Sequence, residues 1–384
     1  MTPSRKGGTG SCLLEKILPA ITFEVTSVCG KARSGVIATP HGRFETPAFM
    51  PVGTQGTVKC LTPDQTRLTG AGIILVNAYH LMLRPGANVI EAAGGIQKWS
   101  GWRGPVLADS GGYQLFSLAE LSKVSDEGVK FRSHIDGAPL FVTPEHTIGV
   151  QNAIGADIIM PLDDCVGFPV ERFRAHESVR RTLDWARRSR RAHVREDQAL
   201  FGIVQGATFP DLRRESAEGL LELELPGYAV GGVSVGEGTL LIREVVEATA
   251  ELLPPEKPRY LMGVGLPPDV LEGVAAGVDM FDCVVPTRNG RNGWAFTFRG
   301  LVRVKNSAYA RDDAALEAGC DCYTCASFPR SYLRHLFSAG EILGMTLVSL
   351  HNLRFYARLM EGARRAISQG EFDGYRRMVA EAFS

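Results

Sequence analysis

The stretch Met280-Phe-Asp-Cys-Val-Val-Pro-Thr-Arg-Asn-Gly-Arg-Asn-Gly293 decides how the chain is read. It opens as a short apolar run of strand type with an acid, Asp282, set into it. At Pro286 it breaks into a polar segment, read as a loop, that carries Arg288 and Arg291 among glycines. A carboxylate in a strand that should be buried is costly unless it is paired or used. Two arginines directly after it offer charge to an anionic partner, most naturally phosphate. The combination points to chemistry on a phosphate-bearing substrate.

Working outward, the same pattern recurs. Phe49–Gly53, Ile73–Tyr79, Pro105–Ser110, Asp157–Asp163, Leu200–Gly206, Tyr228–Val233, Tyr260–Gly265 and Met280–Pro286 are continuous apolar runs that end in polar residues or glycine. Continuous rather than alternating runs are expected of parallel strands covered on both faces. Helical stretches lie between them, including Glu171–Val194, Pro210–Glu224, Leu241–Leu253 and Pro268–Ala276, with apolar residues three and four apart. Eight such alternations predict an α/β fold of the (β/α)₈ TIM-barrel kind. A doubly wound sheet is the alternative, but no glycine-rich dinucleotide fingerprint follows the first strand.

In a barrel the strand ends converge on one face. Those ends carry Asn77-Ala-Tyr79-His80, Asp109-Ser110-Gly111-Gly112-Tyr113-Gln114, Asp163-Asp164-Cys165, Gln205-Gly206, Gly231-Gly232, Met262-Gly263 and Asp282. Asp109 followed by two glycines reads either as a helix N-cap with a tight turn or as an acid beside a backbone that a ligand can approach. Its partnership with Asp282 at one mouth favours the second. Tyr113 is placed to stack on a planar base. An aspartate at 163 or 164 can accept paired hydrogen bonds from a guanine-like ring, while its neighbour caps a helix. Gln205 and the Gly231-Gly232 backbone complete such a site, and Met262 and His80 serve it by contact or by packing beneath it.

The totals bound the rest. Of 384 residues 45% are hydrophobic and 22% charged, and 42 basic residues balance 42 acidic ones, so any nucleic-acid contact rests on local patches. The Arg180–Arg195 helix reads more simply as a solvated barrel helix than as such a patch. No apolar run is long enough to span a bilayer, and Met1–Ile21 reads as a loose tail rather than a signal peptide. These features predict a cytoplasmic protein with no membrane partner. The expected division is a tail (1–22), a catalytic barrel (23–293), and a basic hairpin, metal-binding segment and C-terminal helices (294–384).

One hairpin is expected inside the barrel, with Lys130–His134 and Leu140–Val142 about Asp136-Gly137. A second, Trp294–Phe298 and Leu301–Lys305, has a basic face of Arg299, Arg303 and Lys305. Five cysteines are scattered. Cys320, Cys322 and Cys325 cluster, and with His351 they have the spacing of a closed, structural Zn2+ site.

Together, Phe49-Met-Pro-Val-Gly-Thr54, Asn77-Ala-Tyr-His-Leu-Met-Leu-Arg-Pro85, Asp109-Ser-Gly-Gly-Tyr113, Tyr260-Leu-Met-Gly-Val-Gly265, Met280–Gly293 and the Cys₃His cluster resemble the tRNA-guanine transglycosylases. The resemblance runs from about Phe23 to the C-terminus. It implies a zinc-carrying (β/α)₈ enzyme that replaces guanine at the anticodon wobble position, G34, of certain tRNAs with a 7-deazaguanine. It also implies a nucleophile at Asp282, a general acid/base at Asp109, and base recognition by Ser110, Gly111, Gly112, Tyr113, Asp163, Gln205, Gly232 and Met262. The tRNA-contacting stretches fall on Gly263, Val264, Gly265 and Asp269, and on Thr287, Arg288, Asn289, Gly290 and Arg291. A homodimer is implied too. Cys165 and Val235 look like the bacterial type that uses preQ1 rather than queuine. Exchange of a base at ribose C1′ without energy input suits a double displacement. The rival readings are a zinc-dependent barrel hydrolase, which lacks a histidine pair at the strand ends, and a non-catalytic tRNA-binding subunit, which need not keep both acids.

Overall fold

The computed structural model describes residues 20–112, 114 and 122–384. Eight parallel strands carry the fold: Ala48–Met50, Ile74–Asn77, Val106–Asp109, Ile158–Ile159, Ala199–Leu200 continued by Gly202–Val204, Tyr228–Val230, Arg259–Leu261 and Met280–Asp282. Each pairs with the next. The fifth is carried through its interruption by Phe201, whose N–H donates to the Ile159 carbonyl at 3.0 Å. Met280–Asp282 returns to pair with Ala48–Met50, and the Val52–Leu75 bridge joins the first strand to the second. The pairings therefore run in a ring, and the eight expected runs are its eight strands.

Side-chain alternation explains why continuous apolar runs are needed. Met50, Leu75, Leu107, Ile158, Ala199, Phe201, Ile203, Ala229, Tyr260 and Met280 form one buried cluster. Their neighbours in sequence, Phe49, Ile74, Val76, Val106, Ala108, Ile159, Leu200, Tyr228, Val230, Leu261 and Phe281, belong to another with the surrounding helices. Successive residues of a strand point to opposite faces, so one set fills the ring and the other meets the helix layer. The helices include Arg172–Ala192, Pro210–Leu221, Thr239–Glu251 and Pro267–Ala275.

A three-stranded antiparallel sheet, Thr22–Cys29, Ala32–Thr39 and Gly42–Thr46, precedes the ring. Ile21, Ile37 and Phe44 from this region join the inner cluster. Arg33 fixes the sheet to the N-terminal end of the last barrel strand through paired bonds of 2.9 and 2.6 Å to Asp279. The first hairpin is present as Val129–Arg132 and Pro139–Val142, with a third strand, Ser122–Val124, added at its edge. The second is Trp294–Thr297 with Gly300–Arg303. Among the described residues no helix is long and apolar enough to cross a membrane.

One element differs from its reading. The segment after Asp282 is not a loop but a helix, α1 (Val285–Asn292), with Pro286 in its first turn. Asn and Gly are poor helix formers, so local propensity favours a turn here. Packing against a long C-terminal helix, α2 (Ile342–Gln369), overrides it. A Cβ at Gly290 would stand 2.7 Å from the Ser349 Cα, so glycine is what lets the two helices close. The fully buried Asn352 of α2 then ties both ends together. Its Nδ2 donates at 2.9 Å to the Pro286 and Trp294 carbonyls, and its Oδ1 accepts at 2.9 Å from the Phe296 N–H.

Candidate active site and metal centre

The alternation that fills the ring also aims its polar ends. Asp282 lies two residues beyond Met280, Asp109 two beyond Leu107, Asn77 two beyond Leu75 and Gln205 two beyond Ile203. All four therefore sit on inward-facing positions at the C-terminal mouth. The two acids are surrounded by protein yet remain partly exposed through the mouth. Asp282 Oδ1 accepts from the Tyr260 hydroxyl at 2.6 Å and from the Gly263 N–H at 2.9 Å. Asp109 Oδ2 accepts from Asn77 Nδ2 at 2.7 Å.

Among the described residues neither acid has a cation within bonding range, and the electrostatics follow. Burial, then the negative charges of Asp163 and Asp282, push the Asp109 carboxyl up to about 7. Burial raises Asp282 as well, against the opposing bonds from Tyr260 and Gly263. The Tyr260 hydroxyl, buried beside two carboxylates, is held far above its ordinary range and so stays a donor. An acid whose proton affinity is raised by burial and by neighbouring acids in a cleft marks a candidate active site.

Beside them lies a second cluster. Asp163 is lifted to about 6 by burial, with Gln205 opposing through an Nε2–Oδ2 bond of 2.7 Å. Gln205 Oε1 is buried and has no hydrogen-bond partner among the described residues. A Cβ at Gly112 would meet Asp163 Oδ1 at 2.2 Å, and one at Gly232 would meet Gln205 Oε1 at 2.2 Å. Glycines here let two backbones lie against the polar groups of the floor. Ser110 is buried, and its Oγ accepts from the Gly112 N–H at 3.3 Å. A cavity of about 390 Å³ opens on this cluster, lined by Gly112, Asp163, Cys165, Val166 and Phe168 among others.

Asp163 and Asp164 separate cleanly. Asp164 takes Arg174 at 2.8 and 2.6 Å and also pairs with Arg181, one helix face reaching down on a carboxylate that is 3% exposed. Asp163 has only neutral donors. Both line the cavity, but Asp164 is taken up by its arginines, and Asp163 is the one without a cationic partner among the described residues.

The remaining expected residues divide. Tyr113 lies outside the described residues. Met262 is half-buried on an inward position, and Gly263 is exposed and bonds to Asp282 through its N–H. Val264 and Gly265 are buried, and a Cβ at Gly265 would meet the Cys283 Cβ at 2.2 Å. Asp269, in the first turn of Pro267–Ala275, is engaged by Arg243 at 3.2 Å. Arg288 points from α1 with an exposed side chain, Asn289 is half-buried, and Thr287 and Gly290 are buried. Arg291 is half-buried, and its Nη1 is enclosed without a hydrogen-bond partner. Of the two arginines, Arg288 is the one presented to solvent.

Two supporting residues escaped the sequence reading of roles. Asn77 and Tyr260 both lie within the expected strand runs, and both bond directly to an acid of the mouth. The signal was their parity: a tyrosine or asparagine on an inward strand position needs a hydrogen-bond partner when buried.

Cys320, Cys322, Cys325 and His351 are all buried, with their ligand atoms within 4.8 Å of one another. His351 Nδ1 stands 3.7, 3.6 and 3.3 Å from the three Sγ atoms in turn. His351 Nε2 donates to the Phe296 carbonyl at 2.8 Å, which reserves Nδ1 for the ion. Four converging donors of this kind form a plausible closed metal site. Through Phe296 and the neighbouring Asn352 the same helix holds the metal cluster and α1, and α1 directly follows the Asp282 strand.

A family model described as Queuine tRNA-ribosyltransferase matches residues 29–384. The chain belongs to that family. It is therefore an enzyme of the pentosyltransferase class. A queuine tRNA-ribosyltransferase of Pelotomaculum thermopropionicum is 54% identical over 359 residues, covering 93% of this chain and 97% of the relative. One of Symbiobacterium thermophilum is 54% identical over 351 residues (91% and 88%), and one of Caldanaerobacter subterraneus 55% over 340 (88% and 91%). The family resemblance read from the motifs is thus shown.

Proposed function

We propose that the protein exchanges guanine at position 34 of tRNA for preQ1, through a covalent ribosyl–aspartate intermediate. The observation that carries this is the pair of inward acids, Asp109 and Asp282, which have no cationic partner among the described residues and lie close enough for Asp282 to raise the proton affinity of Asp109.

Both donors to Asp282 end on Oδ1, which leaves Oδ2 to attack ribose C1′. The C1′–N9 bond breaks as the C1′–Oδ2 bond forms, and Asp109 delivers its proton to the departing guanine. A carboxyl near 7 suits this task, since it is populated in both forms at neutral pH. The incoming base then attacks C1′, the ester bond breaks, and Asp109 takes back a proton from that base. Two inversions restore the configuration. Asp163 and Gln205 offer the hydrogen-bonding edge, and the glycines at 112 and 232 admit a flat ring over it. The wobble nucleotide must leave its stack to enter. Exposed Arg288 meets backbone phosphate nearby.

Zinc fits the Cys₃His cluster. Tetrahedral bonds of zinc to sulfur and imidazole nitrogen place those ligand atoms about 3.5 Å apart, against the 3.3 to 3.7 Å seen from His351 Nδ1. Four protein ligands leave no open position, so the ion braces the segment behind α1. Cys320, Cys322, Cys325 and His351 Nδ1 would hold it.

The test is exchange itself. tRNA first loaded with labelled guanine by the enzyme is expected to lose that label when unlabelled preQ1 is added, with less loss for an equal amount of queuine. Failure to incorporate labelled guanine would remove the transglycosylase reading, and preferential use of queuine would correct the base.

A further inference from the structure

The helix Pro210–Leu221 carries a group that the mechanism above does not use. Arg213 is 2% exposed, and its guanidinium bonds to no carboxylate. Among the described residues it donates only to backbone carbonyls. Nε reaches Ala207 at 2.7 Å, Nη1 reaches Val204 at 3.4 Å, and Nη2 reaches Gly231 at 3.0 Å and Gly232 at 3.3 Å. Burial pulls its pKa down to about 10, with Glu237 opposing, so the group stays charged at neutral pH.

A buried cation without a bonded acid is an expensive way to fasten a loop, and a planar fork is the feature that makes it effective here. One guanidinium spans two strand ends, 204–207 and 231–232. Those ends hold Gln205, which donates to Asp163 at 2.7 Å, and Gly232, which lies against Gln205; together they form the floor of the proposed base site. Ser216, one turn along the same helix and fully buried, accepts from the Gln205 N–H at 3.0 Å. Arg213 and Ser216 therefore share one face and support the floor from behind. The fit is close. A Cβ at Gly206 would stand 2.7 Å from the Arg213 N and 2.8 Å from its Cγ. On the opposite side, Gly232 lies so close over Gln205 that a Cβ there would meet Oε1 at 2.2 Å.

We propose that Arg213 is a positioning residue for the incoming base. By tying the fifth strand end to the sixth, it holds Gly232 against Gln205, so that the two together present one edge to the ring. The inference rests on the base-exchange reading and deepens it. It predicts a fault confined to the small-molecule base rather than to tRNA.

Steady-state guanine exchange, with tRNA and labelled guanine varied in turn, measures both. Arg213→Lys keeps the charge but cannot span both ends, and Arg213→Met removes the charge as well. Each is expected to raise KM for guanine on the order of tenfold, the loss of one or two hydrogen bonds. KM for tRNA and formation of the covalent RNA adduct should stay within about twofold of the parent. A KM for guanine that does not move would overturn the proposal. So would equal falls in activity toward both substrates, or failure of both variants to fold, since either makes Arg213 a fold element only. If the parent itself exchanges no guanine, the functional reading fails, and the clamp is not at fault.

Discussion

Asp279 and Asp157 at one end of the barrel and Asp282 and Asp163 at the other are treated in opposite ways. At the N-terminal end, Asp279 receives both arms of Arg33 and the Arg259 N–H at 2.7 Å. Asp157 there receives the Val106 N–H at 2.8 Å, Gln97 at 3.1 Å and His41 at 2.9 Å. At the C-terminal end, Asp282, three residues beyond Asp279, and Asp163, six beyond Asp157, meet only neutral donors among the described residues. Burial raises Asp279 too, but Arg33 and Arg259 pull against it, whereas Asp109 is raised further by other acids. One end satisfies its charges and contributes stability. The other leaves Asp109, Asp163 and Asp282 without a cationic partner among the described residues, and these are the acids that the proposed exchange would use, as expected of the two faces of such a fold.

That contrast can be broken by substitutions at either end. Asp109→Asn is expected to lower guanine exchange by a factor of about 10² to 10⁴, the usual worth of a positioned acid/base. The same variant should be more stable than the parent above neutral pH. Folded Asp109 holds its proton to about pH 7, while the unfolded group releases it near 3.8. The folded chain thus binds more protons across that window, and this group's contribution to stability falls as pH rises through it. Asn removes the penalty, on the order of a few kcal/mol, and its advantage should vanish below pH 4. Denaturant midpoints at pH 4 and pH 8 would show it, and a variant less stable at pH 8 would contradict the raised pKa.

Asp279→Asn should do the reverse. It leaves Arg33 buried without its partner and is expected to cost about 3–5 kcal/mol of stability. Activity per folded molecule should hardly change. A stable but inactive Asp279→Asn would erase the distinction between the ends.

Two smaller effects sharpen it. Chelation is expected to release about one zinc per chain and to lower the thermal midpoint by several degrees, equivalent to a kcal/mol or two. Exchange should then fail through movement of α1 rather than through a lost Lewis acid, and retained activity in fully metal-free protein would deny the bracing role. Arg288→Ala should weaken all tRNA binding and reduce the slope of log affinity against log salt by about one. An unchanged slope would move the phosphate contact elsewhere.

Much of this was legible in the chain. The eight strands could be read because parallel strands must be apolar on both faces, and their ends named the mouth. Asp282 stood out as an acid in an apolar run, and the Cys₃His spacing located the metal site. What local sequence could not give was pairing at a distance. Asn289-Gly290 reads as a turn, and only the backbone of α2 makes it helical. Asp163 and Asp164 are chemically alike until Arg174 and Arg181 claim one of them. Two arginines seven residues apart lie on one helix face, so that pairing was readable in principle. The Arg213 clamp was not, because its acceptors are backbone carbonyls that any sequence supplies.

The most direct test is whether Asp282 carries the ribosyl group. With tRNA and a base that arrests turnover, the parent should give a denaturation-resistant RNA–protein adduct. Asp282→Asn should give none while binding tRNA within a few-fold of the parent. An adduct of undiminished yield in that variant would place the nucleophile elsewhere and contradict the account.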